Sequence, residues 1–558
     1  MARVRIGRPV DRRRLVVAGA AGAALQLAAG ELAASLLPGA RSPVTGTGRS
    51  LIDLTPGPLV DVTVATLEAL DKPVLMGGVV ADFLGVGVVA GLAHPTRPRA
   101  AAALMLGHGV LAGAAAATRR DSAGPQSLLA GALGGSAGYA TLRALCPRPS
   151  ALPAVLGATA LMARTARRRG RAHSETLEAR RLLRALPTPA SPLPAPPREA
   201  SFSTREVSPI FTPNADFYVT DVTFPPPALD AGAWTLRVHG LVERPFELSY
   251  SDLLALGPEE LDATLVCVHN PVGGHRIGTA RWLGVPLTRL LERAGVRPEA
   301  DQLLARSVDG FSAGVPLTVL DEDRAAVVAV GMNGEPLPVG HGYPARLLVP
   351  GLWGADANTK WLSDLEVTTF AAVQDYWDRR GWPREPSPVE PSSRIDAPRA
   401  HRAVSAGPIT VAGVAWAPPH GVERVEVSID RGPWQAAELS AELDPHAWRQ
   451  WRYPWTAVPG SHEMRARTLS RSGAWQSEEP SPPYPRGARG LHAVRVEVAE
   501  GATPTLGEPA RALRAGRAEV RGRIALASAG LSSWRRQGFP RRPAFSRERH
   551  APMSGRPG

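Results

Sequence analysis

A cysteine in an apolar, strand-like run is the first residue whose type and position suggest chemistry. Cys267 lies in Thr264–Val268, and the polar, Gly-rich loop His269–Gly274 follows. A thiol placed in this way sits at the mouth of a site, where its thiolate can bind a soft metal. The same local pattern also fits a buried structural cysteine, so this segment alone leaves both interpretations open.

Three basic residues frame a second strand and its exit loop. His341 and Arg346 begin and end the segment HGYPAR, and Lys360 follows fourteen residues later in NTKWL. Side chains of these types in this arrangement favour a phosphate pocket. Lys360 is one of only two lysines among 64 basic residues, which indicates that a compact point charge is needed there. Together with Cys267, these residues predict a site with a metal ligand and an anion pocket.

Other motifs have simpler interpretations. Gly134–Gly138 (GGSAG) matches the hydrolase nucleophile elbow, but it lies in an apolar segment where small residues favour close helix packing. His94 and His108 could ligate a haem, although two isolated histidines are weak support. Glu31 and Asp82 lie within apolar segments and are interpreted as residues that pair helices.

Net charge and cysteine count exclude several classes of protein. The formal charge is +13, but residues 1–14 carry +5 and residues 501–558 carry +9, so the rest of the chain is nearly neutral. The basic character therefore belongs to the ends and does not indicate a nucleic-acid-binding core. Two cysteines exclude a disulfide scaffold, a Cys-rich zinc module and a cysteine-ligated iron–sulfur cluster.

The N-terminal part of the chain has the composition of a membrane region. Of 30 aromatic residues, only Phe83 and Tyr139 lie in the first 200 positions. Residues 1–170 are predicted to form about five membrane-spanning helices, with four or six left open, and 51–70 an interfacial helix. The apolar segments are 15–37, 74–94, 100–118, 126–146 and 150–163.

The basic residues that flank this region give conflicting signals about which end faces the cytoplasm. Arg12–Arg14 favour a cytoplasmic N-terminus, but the arginines at 164–171 favour the same side, which five spans do not allow. Arg12–Val16 also loosely matches a twin-arginine export signal, with a positive flank as the simpler interpretation. We expect a multi-pass protein of the cell membrane, with its catalytic domain extracytoplasmic.

The remaining chain divides at Pro-rich segments. Residues 171–200 are expected to be an extended linker, 201–390 an α+β domain, 391–500 a β-sandwich and 501–558 a basic disordered tail. In the α+β domain the patterns predict strands at Trp234–Val238, Ala263–Val268 and Arg346–Val349 and a helix at Leu283–Ala294. Alternating strands are predicted at 409–414, 425–429, 464–468 and 494–498.

An ordered set of segments resembles the sulfite oxidase family of molybdenum enzymes over residues 212–498. The set begins with TPN…FY (212–218) and WTLRVHG (234–240) and continues through Cys267 with NPVGG (270–274) and RWLGVP (281–286). It ends with SVDG (307–310), MNGEPLP (332–338), HGYPAR (341–346) and TKWL (359–362). The resemblance implies that the sandwich is an immunoglobulin-like dimerisation domain and that the protein is a homodimer.

The resemblance also implies a cofactor and its ligands. A molybdenum–molybdopterin cofactor would have Cys267 as its metal ligand and catalytic residue, and would transfer an oxygen atom in a two-electron reaction. His341, Arg346 and Lys360 would hold the pterin phosphate. The other cofactor-binding residues implied are Asn214, Phe217, Tyr218 and Thr359.

Departures from the family pattern concern the substrate. Sulfite-oxidising members carry arginine shortly after the early aromatic pair and after the Cys-loop asparagine, where this chain has Val219, Thr220 and Pro271. No tyrosine lies between Cys267 and Tyr343. We therefore expect a small oxygen-transfer substrate other than sulfite. Electrons would pass to or from an external cytochrome or quinone-linked protein, since no CxxCH haem motif occurs. The alternative is a non-catalytic membrane receptor or scaffold that retains the fold without the cofactor.

Overall fold

The structure is a computed structural model that describes residues 11–499 apart from short gaps. The gaps are residues 57–58, 60–62, 64–69, 120–121, 205, 224–225, 321–323, 385–387 and 401. The tail expected at 501–558 and much of the interfacial segment expected at 51–70 therefore lie outside the described residues.

Long helices rich in Ala and Gly form the N-terminal region. Among the described residues they are α1 (Arg12–Leu36), α2 (Pro43–Leu54), α3 (Asp71–Ala93), α4 (Pro98–Ala117), α5 (Gly124–Leu145) and α6 (Leu152–Leu182). Five of them cover the five apolar segments. Of the described helices, α1, α3 and α4 are long and apolar enough to cross a membrane. The count of five membrane spans stays a prediction.

Glycines allow these helices to approach closely. A Cβ on Gly19 of α1 would lie 2.1 Å from the carbonyl oxygen of Gly87 in α3. A Cβ on Gly134 of α5 would lie 2.7 Å from the carbonyl oxygen of Gln26 in α1. The segment Gly134–Gly138 lies inside α5 and not at a strand–turn–helix junction, so the packing interpretation is confirmed and the hydrolase elbow is excluded.

The polar residues of the helical region pair helices with one another. His108 Nε2 lies 3.0 Å from Asp82 Oδ2, and His108 Nδ1 lies 3.4 Å from Gln26 Nε2. Glu31 Oε1 accepts hydrogen bonds from Ser42 Oγ at 2.6 Å and the Val44 amide at 3.3 Å, and so joins α1 to the start of α2. Both ring nitrogens of His108 are engaged, which does not favour a haem ligand at this position.

The segment expected as a separating linker packs against the α+β domain. Helix α6 continues to Leu182, and its residue Arg181 is only 3% exposed, with its guanidinium 3.4 Å from Glu335. Farther along, the Ala190 amide donates to Pro258 O at 2.7 Å. The extended spacer expected at 171–200 is therefore corrected to a helix end followed by a docked strap.

Two sheets form the α+β domain. Its strands are β1 (Thr235–Gly240), β2 (Phe246–Ser249), β3 (Glu259–Val266), β4 (Ile277–Pro286), β5 (Gln302–Ser307), β6 (Ser312–Pro316), β7 (Val327–Met332), β8 (Glu335–Pro336), β9 (Arg346–Leu348) and β10 (Leu362–Thr368). Its helices are α7 (Tyr250–Ala255), α8 (Leu287–Ala294) and α9 (Gly354–Ala357). The strand orders are β2–β1–β10–β5–β6 and β3–β4–β7–β8, with β9 paired to β7. Residues of both sheets share one apolar core.

Two element boundaries differ from those expected. The helix expected at Leu283–Ala294 begins at Leu287, because residues 283–286 continue β4 between β3 and β7. The strand expected at Ala263–Val268 ends at Val266, so Cys267 lies in the turn that follows it. The Cys267 amide still donates to Arg276 O at 2.9 Å, which fixes the turn to the return strand.

Two further sheets follow, and their inward side chains share a second core. The strands are β11 (Ser392–Ala397), β12 (Ala403–Ser405), β13 (Gly407–Trp416), β14 (Val422–Ile429), β15 (Gln435–Ala436), β16 (Glu438–Leu439), β17 (Arg449–Ala457), β18 (Gly460–Ser470) and β19 (His492–Ala499). Their orders are β11–β13–β17–β16 and β12–β19–β18–β14–β15. Trp451 from one sheet and Val425, Met464 and Val496 from the other belong to this core.

The second pair of sheets contacts the strand that leads to Cys267. The Trp448 amide donates to Thr264 Oγ1 at 2.8 Å, and the Thr264 amide donates to His446 O at 3.0 Å. Arg394 Nη1 donates to Gly274 O at 2.9 Å. Both ends of the Cys267 loop are therefore held by residues from the C-terminal sheets.

Candidate active site

A cavity of about 640 Å³ brings the predicted site residues together. It lies where the helical region meets the α+β domain, and residues of both line it. Five of the eight predicted residues are in its wall: Phe217, Tyr218, Cys267, Arg346 and Lys360. Asn214, His341 and Thr359 are not in the wall. His341 contacts the wall residues Phe217 and Arg346, Asn214 lies behind His341, and Thr359 directly precedes Lys360 in the chain.

Cys267 is buried at one end of this cavity. Burial raises the pKa of its thiol. Hydrogen bonds from the His269 backbone and the Thr220 hydroxyl lower this pKa, and the charges of Arg276 and Lys360 lower it as well. The net shift is upward, so the thiol is protonated at neutral pH in the protein alone. A metal that binds the sulfur would displace that proton.

Arg346 is a buried cation with few partners. It is 3% exposed, its Nη1 donates to His341 O at 3.3 Å, and its guanidinium lies 5.3 Å from the centre of the Trp282 ring. Burial lowers its pKa to about 10, so the charge remains at neutral pH. A buried guanidinium with so little compensation favours an anionic ligand.

Lys360 has a carboxylate partner. Its Nζ lies 2.6 Å from Asp221 Oδ1 and 2.8 Å from Gly340 O. Burial lowers the pKa of the ammonium and the Asp221 charge raises it, with a net downward shift. The backbone of Lys360 lies close to Gly342, which has φ +108°. A Cβ on Gly342 would lie only 3.1 Å from the Lys360 Cα. Asp221 therefore holds Lys360 in place.

His341 is neutral in the protein alone. Burial, with the nearby charge of Lys360, lowers its pKa to about 4, although the Asn214 carbonyl opposes the shift. Nε2 lies 3.1 Å from that carbonyl oxygen and so carries the ring's proton. Contact with a phosphate through Nδ1 would require a second proton, which the charge of a bound phosphate would favour.

The remaining predicted residues have different surroundings. The Asn214 side chain donates to Glu335 Oε1 at 2.6 Å and accepts from Asn333 Nδ2 at 2.8 Å, so its role in the structure is to fix two loops. Phe217 stacks on Tyr218 with ring centres 5.4 Å apart. The Thr359 hydroxyl is fully buried, in the residue directly before Lys360.

Orphaned polar atoms test whether these residues fit a molybdopterin. Arg346 Nε, Thr359 Oγ1 and both polar atoms of the Asn358 side chain are buried with no hydrogen-bond partner. Buried polar atoms are nearly always bonded in folded proteins, so these atoms together indicate a polar, anionic ligand. No cluster of three His, Cys, Asp or Glu among the described residues could hold a metal alone. A cofactor that brings its own sulfur ligands would therefore fit beside Cys267.

Some residues of the cavity were not predicted as site residues. Thr220, Asp221, Asp309 and Asn358 belong to it, and so does Arg276, whose Nη1 donates to His269 O at 3.1 Å. Asp309 lies in the segment SVDG, which carries the resemblance, and Asn358 directly precedes the segment TKWL, so their positions were the signal available for them. Thr220 and Asp221 directly follow the early aromatic pair but match no catalytic motif.

Most of the α+β domain matches a known family of proteins. Residues 223–377 match the family model described as the oxidoreductase molybdopterin binding domain. The mitochondrial sulfite oxidase of Macaca fascicularis is 31% identical over 301 residues, which cover 45% of this chain and 54% of that protein. The uncharacterized oxidoreductase YuiH of Bacillus subtilis (strain 168) is 31% identical over 153 residues, 27% of this chain and 74% of that protein.

A solved structure gives a weaker match. The sulfane dehydrogenase SoxCD of Paracoccus pantotrophus is 25% identical, with a TM-score of 0.42, over 48% of this chain and 77% of that chain. The sequence matches and the site define a molybdopterin-binding oxidoreductase. The chain belongs to the sulfite oxidase family of molybdenum-dependent enzymes, and its cofactor is molybdenum–molybdopterin. The chain spans about half the length of the sulfite oxidases that it matches.

Proposed function

We propose that this chain is a membrane-anchored oxidoreductase that moves an oxygen atom to or from a small molecule other than sulfite. The observation that carries the proposal is one cavity with a buried thiol, Cys267, and a buried, under-bonded cation, Arg346. The thiol of Cys267 can bind a metal, and the guanidinium of Arg346 can bind the phosphate of a pterin.

The residues of the chain would hold the cofactor in a fixed orientation. The bound molybdenum–molybdopterin supplies two-electron oxygen-atom transfer. Cys267 would be the metal ligand, and Arg346 and Lys360 would neutralise the phosphate, with His341 behind them. Asp221, 2.6 Å from Lys360 Nζ, would keep the ammonium positioned at that end. Phe217 and Tyr218 would pack against the pterin.

The substrate proposal rests on the wall beside Cys267. Val219 and Thr220 occupy the wall where a sulfite-oxidising member has arginine, and Tyr376 and Trp377 supply an aromatic surface. A site of this kind favours a neutral or organic acceptor such as a sulfoxide or N-oxide over a small dianion. Arg276 also lines the cavity, but its guanidinium donates a hydrogen bond to His269 O.

Anchoring and assembly belong to the same proposal. Arg12–Arg14 lie at one end of the helical bundle, and the α+β domain contacts the other end, where Arg119 Nη1 donates to Thr223 Oγ1 at 3.2 Å. With a cytoplasmic N-terminus, the catalytic domain would be extracytoplasmic. The C-terminal sheets would be the immunoglobulin-like domain of a homodimer. Electrons would be exchanged with a cytochrome or quinone-linked protein.

Metal analysis and a substrate comparison test the proposed function. The full chain, purified in detergent, should contain roughly one molybdenum per chain. With a reduced dye it should turn over sulfoxides or N-oxides, and with an oxidising dye it should turn over sulfite poorly. Absence of molybdenum would contradict the enzyme assignment. Efficient sulfite oxidation would contradict the substrate assignment alone, and loss of that activity in Arg276→Ala would identify the replacement cation.

A further inference from the structure

Both lysines of the chain line one cavity. Lys72 is the second residue of α3 in the helical region, and Lys360 lies two residues before β10. All other basic residues, of the 64 in the chain, are arginines. The argument that Lys360 reflects a need for a compact ammonium therefore applies to Lys72 as well.

The cavity has an excess of positive charge. Its basic side chains are Lys72, Arg276, Arg346 and Lys360, and its carboxyls are Asp71, Asp221 and Asp309. Burial raises the pKa of Asp309, which weakens its contribution as a counter-charge. Since Asp221 is already paired with Lys360, the cavity wall favours an added anion.

Lys72 and Lys360 line the same cavity, and the charge of Lys72 acts on Lys360. The pKa of Lys360 is lowered mainly by burial and in part by Arg346 and Lys72. At Cys267, the basic residues that act on the thiol pKa are Arg276 and Lys360. Lys360 therefore acts on the thiol and is itself acted on by Lys72 and Arg346, so the cations of this one cavity form a connected group.

Contacts at the rim fix the helical region over the cavity. Arg49 of α2 donates a hydrogen bond to Val222 O, and its guanidinium lies 5.6 Å from the centre of the Tyr376 ring. Asp53, one turn along α2, lies 3.3 Å from Arg380 Nη2. These polar contacts join the two parts of the chain at the cavity that both of them line.

We propose that Lys72 is a further cationic ligand of the cofactor's phosphate, so that the helical region completes the pocket that Arg346 and Lys360 begin. This inference rests on the proposed function, because it takes the phosphate to be bound by those two residues. An ammonium added from α3 would help to exclude water from the phosphate pocket, where a charge-assisted contact is then strongest.

Cofactor retention in the full-length protein tests the contribution of Lys72. Lys72→Ala should lose molybdopterin about tenfold faster than the unchanged protein on dilution, as expected for one lost charge-assisted contact. Arg99→Ala, which removes one exposed positive charge from the start of α4, is the matched control and should leave the rate unchanged. Unchanged retention in Lys72→Ala, with clear loss in Arg346→Ala, would overturn this inference but leave the proposed function intact. Unchanged retention in both would contradict the phosphate pocket itself.

Amine labelling provides a second readout that does not depend on a variant. Because the chain has two lysines, an amine-selective reagent followed by mass spectrometry reports on each one separately. Full-length protein from a host unable to make the pterin should be modified at Lys72 at least about fivefold faster than the loaded protein. Equal rates of labelling at Lys72, with protection of Lys360 by the cofactor, would show that the phosphate does not reach α3.

Discussion

At the scale of residues, the account depends on two cations with different geometry. Arg346→Ala removes a charge and a planar donor from a site where Nε has no partner, so we expect most of the bound cofactor to be lost. Lys360→Arg keeps the charge but replaces a point donor held 2.6 Å from Asp221, so we expect a smaller yet measurable loss. Molybdenum content per purified chain measures both effects.

The control for this pair is Arg244→Ala, which removes an arginine whose side chain is 64% exposed. Its molybdenum content should match that of the unchanged protein. Wild-type molybdenum content in Arg346→Ala would contradict the assignment of this residue to the phosphate.

A buried histidine leads to a prediction about pH. The pKa of His341 is about 4 in the folded protein, against an ordinary value near 6.5 in an unfolded chain. Between these values the unfolded state binds more protons, so the cofactor-free protein should lose stability as the pH falls from about 6.5 to about 4. His341→Gln, which can still donate to the Asn214 carbonyl, should reduce the dependence of the melting temperature on pH over this range.

The other two histidines with a pKa of about 4, His269 and His492, would keep part of the slope in that variant. An unchanged slope in His341→Gln would therefore show that His341 titrates normally in the folded protein.

Single residues also show how far the sequence could predict the site. The positions of Cys267 before a Gly-rich loop and of Arg346 and Lys360 around a strand predict one site, and the structure brings the three residues to one cavity. Asp221 and Lys72 were not assigned to the site. Asp221 contacts Lys360 across 139 residues of chain, and Lys72 reaches the same cavity from 288 residues away, which no local pattern encodes.

At the scale of elements, helix packing in the N-terminal region depends on particular glycines. A Cβ on Gly87 would lie 2.5 Å from both the Gly19 carbonyl oxygen and the Ala23 Cβ, so Gly87→Ala should destabilise the bundle by about 1–3 kcal/mol. Gly85→Ala, two residues away on α3, meets nothing within 4 Å and should be neutral or slightly stabilising. Thermal unfolding in detergent compares the two, and equal effects would contradict the packing of α1 on α3.

The elements themselves were predicted well where their hydrophobic period was regular. The alternating strands at 409–414 and 464–468 and the apolar helices all appear in the structure. The start of α8 was placed four residues early because Leu283–Pro286 is apolar in either structure, and only its pairing with β3 and β7 shows that it is strand. Helix α6 exceeds the apolar segment because its polar end packs on the α+β domain through Arg181.

At the scale of the whole molecule, the arrangement of the parts was the least predictable feature. The sequence indicated an extended spacer between membrane and catalytic regions, but the strap at 183–200 docks, and the helical region lines the cavity. These contacts join polar groups from distant segments, such as Asp53 with Arg380. Hydrophobic periodicity in the sequence does not predict contacts of this kind.

Assembly gives a prediction at the same scale. If the C-terminal sheets form a two-fold dimer, the intact protein should have the mass of a dimer by light scattering after correction for detergent. Deletion of 392–499 should cause aggregation rather than a clean monomer, because it also removes Trp448, whose amide donates to Thr264 on β3. A monodisperse monomer of the intact chain would contradict the proposed dimer.

Molybdenum X-ray absorption of the full-length protein counts the sulfur atoms bound to the metal and so tests whether Cys267 is its ligand. The account predicts roughly one molybdenum per chain and, in Cys267→Ser, one fewer sulfur around the metal, with the pterin largely retained because its phosphate contacts lie elsewhere. Cys146→Ser changes the other cysteine, which caps α5 in the helical region, and should leave the spectrum unchanged. An identical sulfur count in Cys267→Ser and the unchanged protein would show that Cys267 is not the metal ligand and would contradict the account.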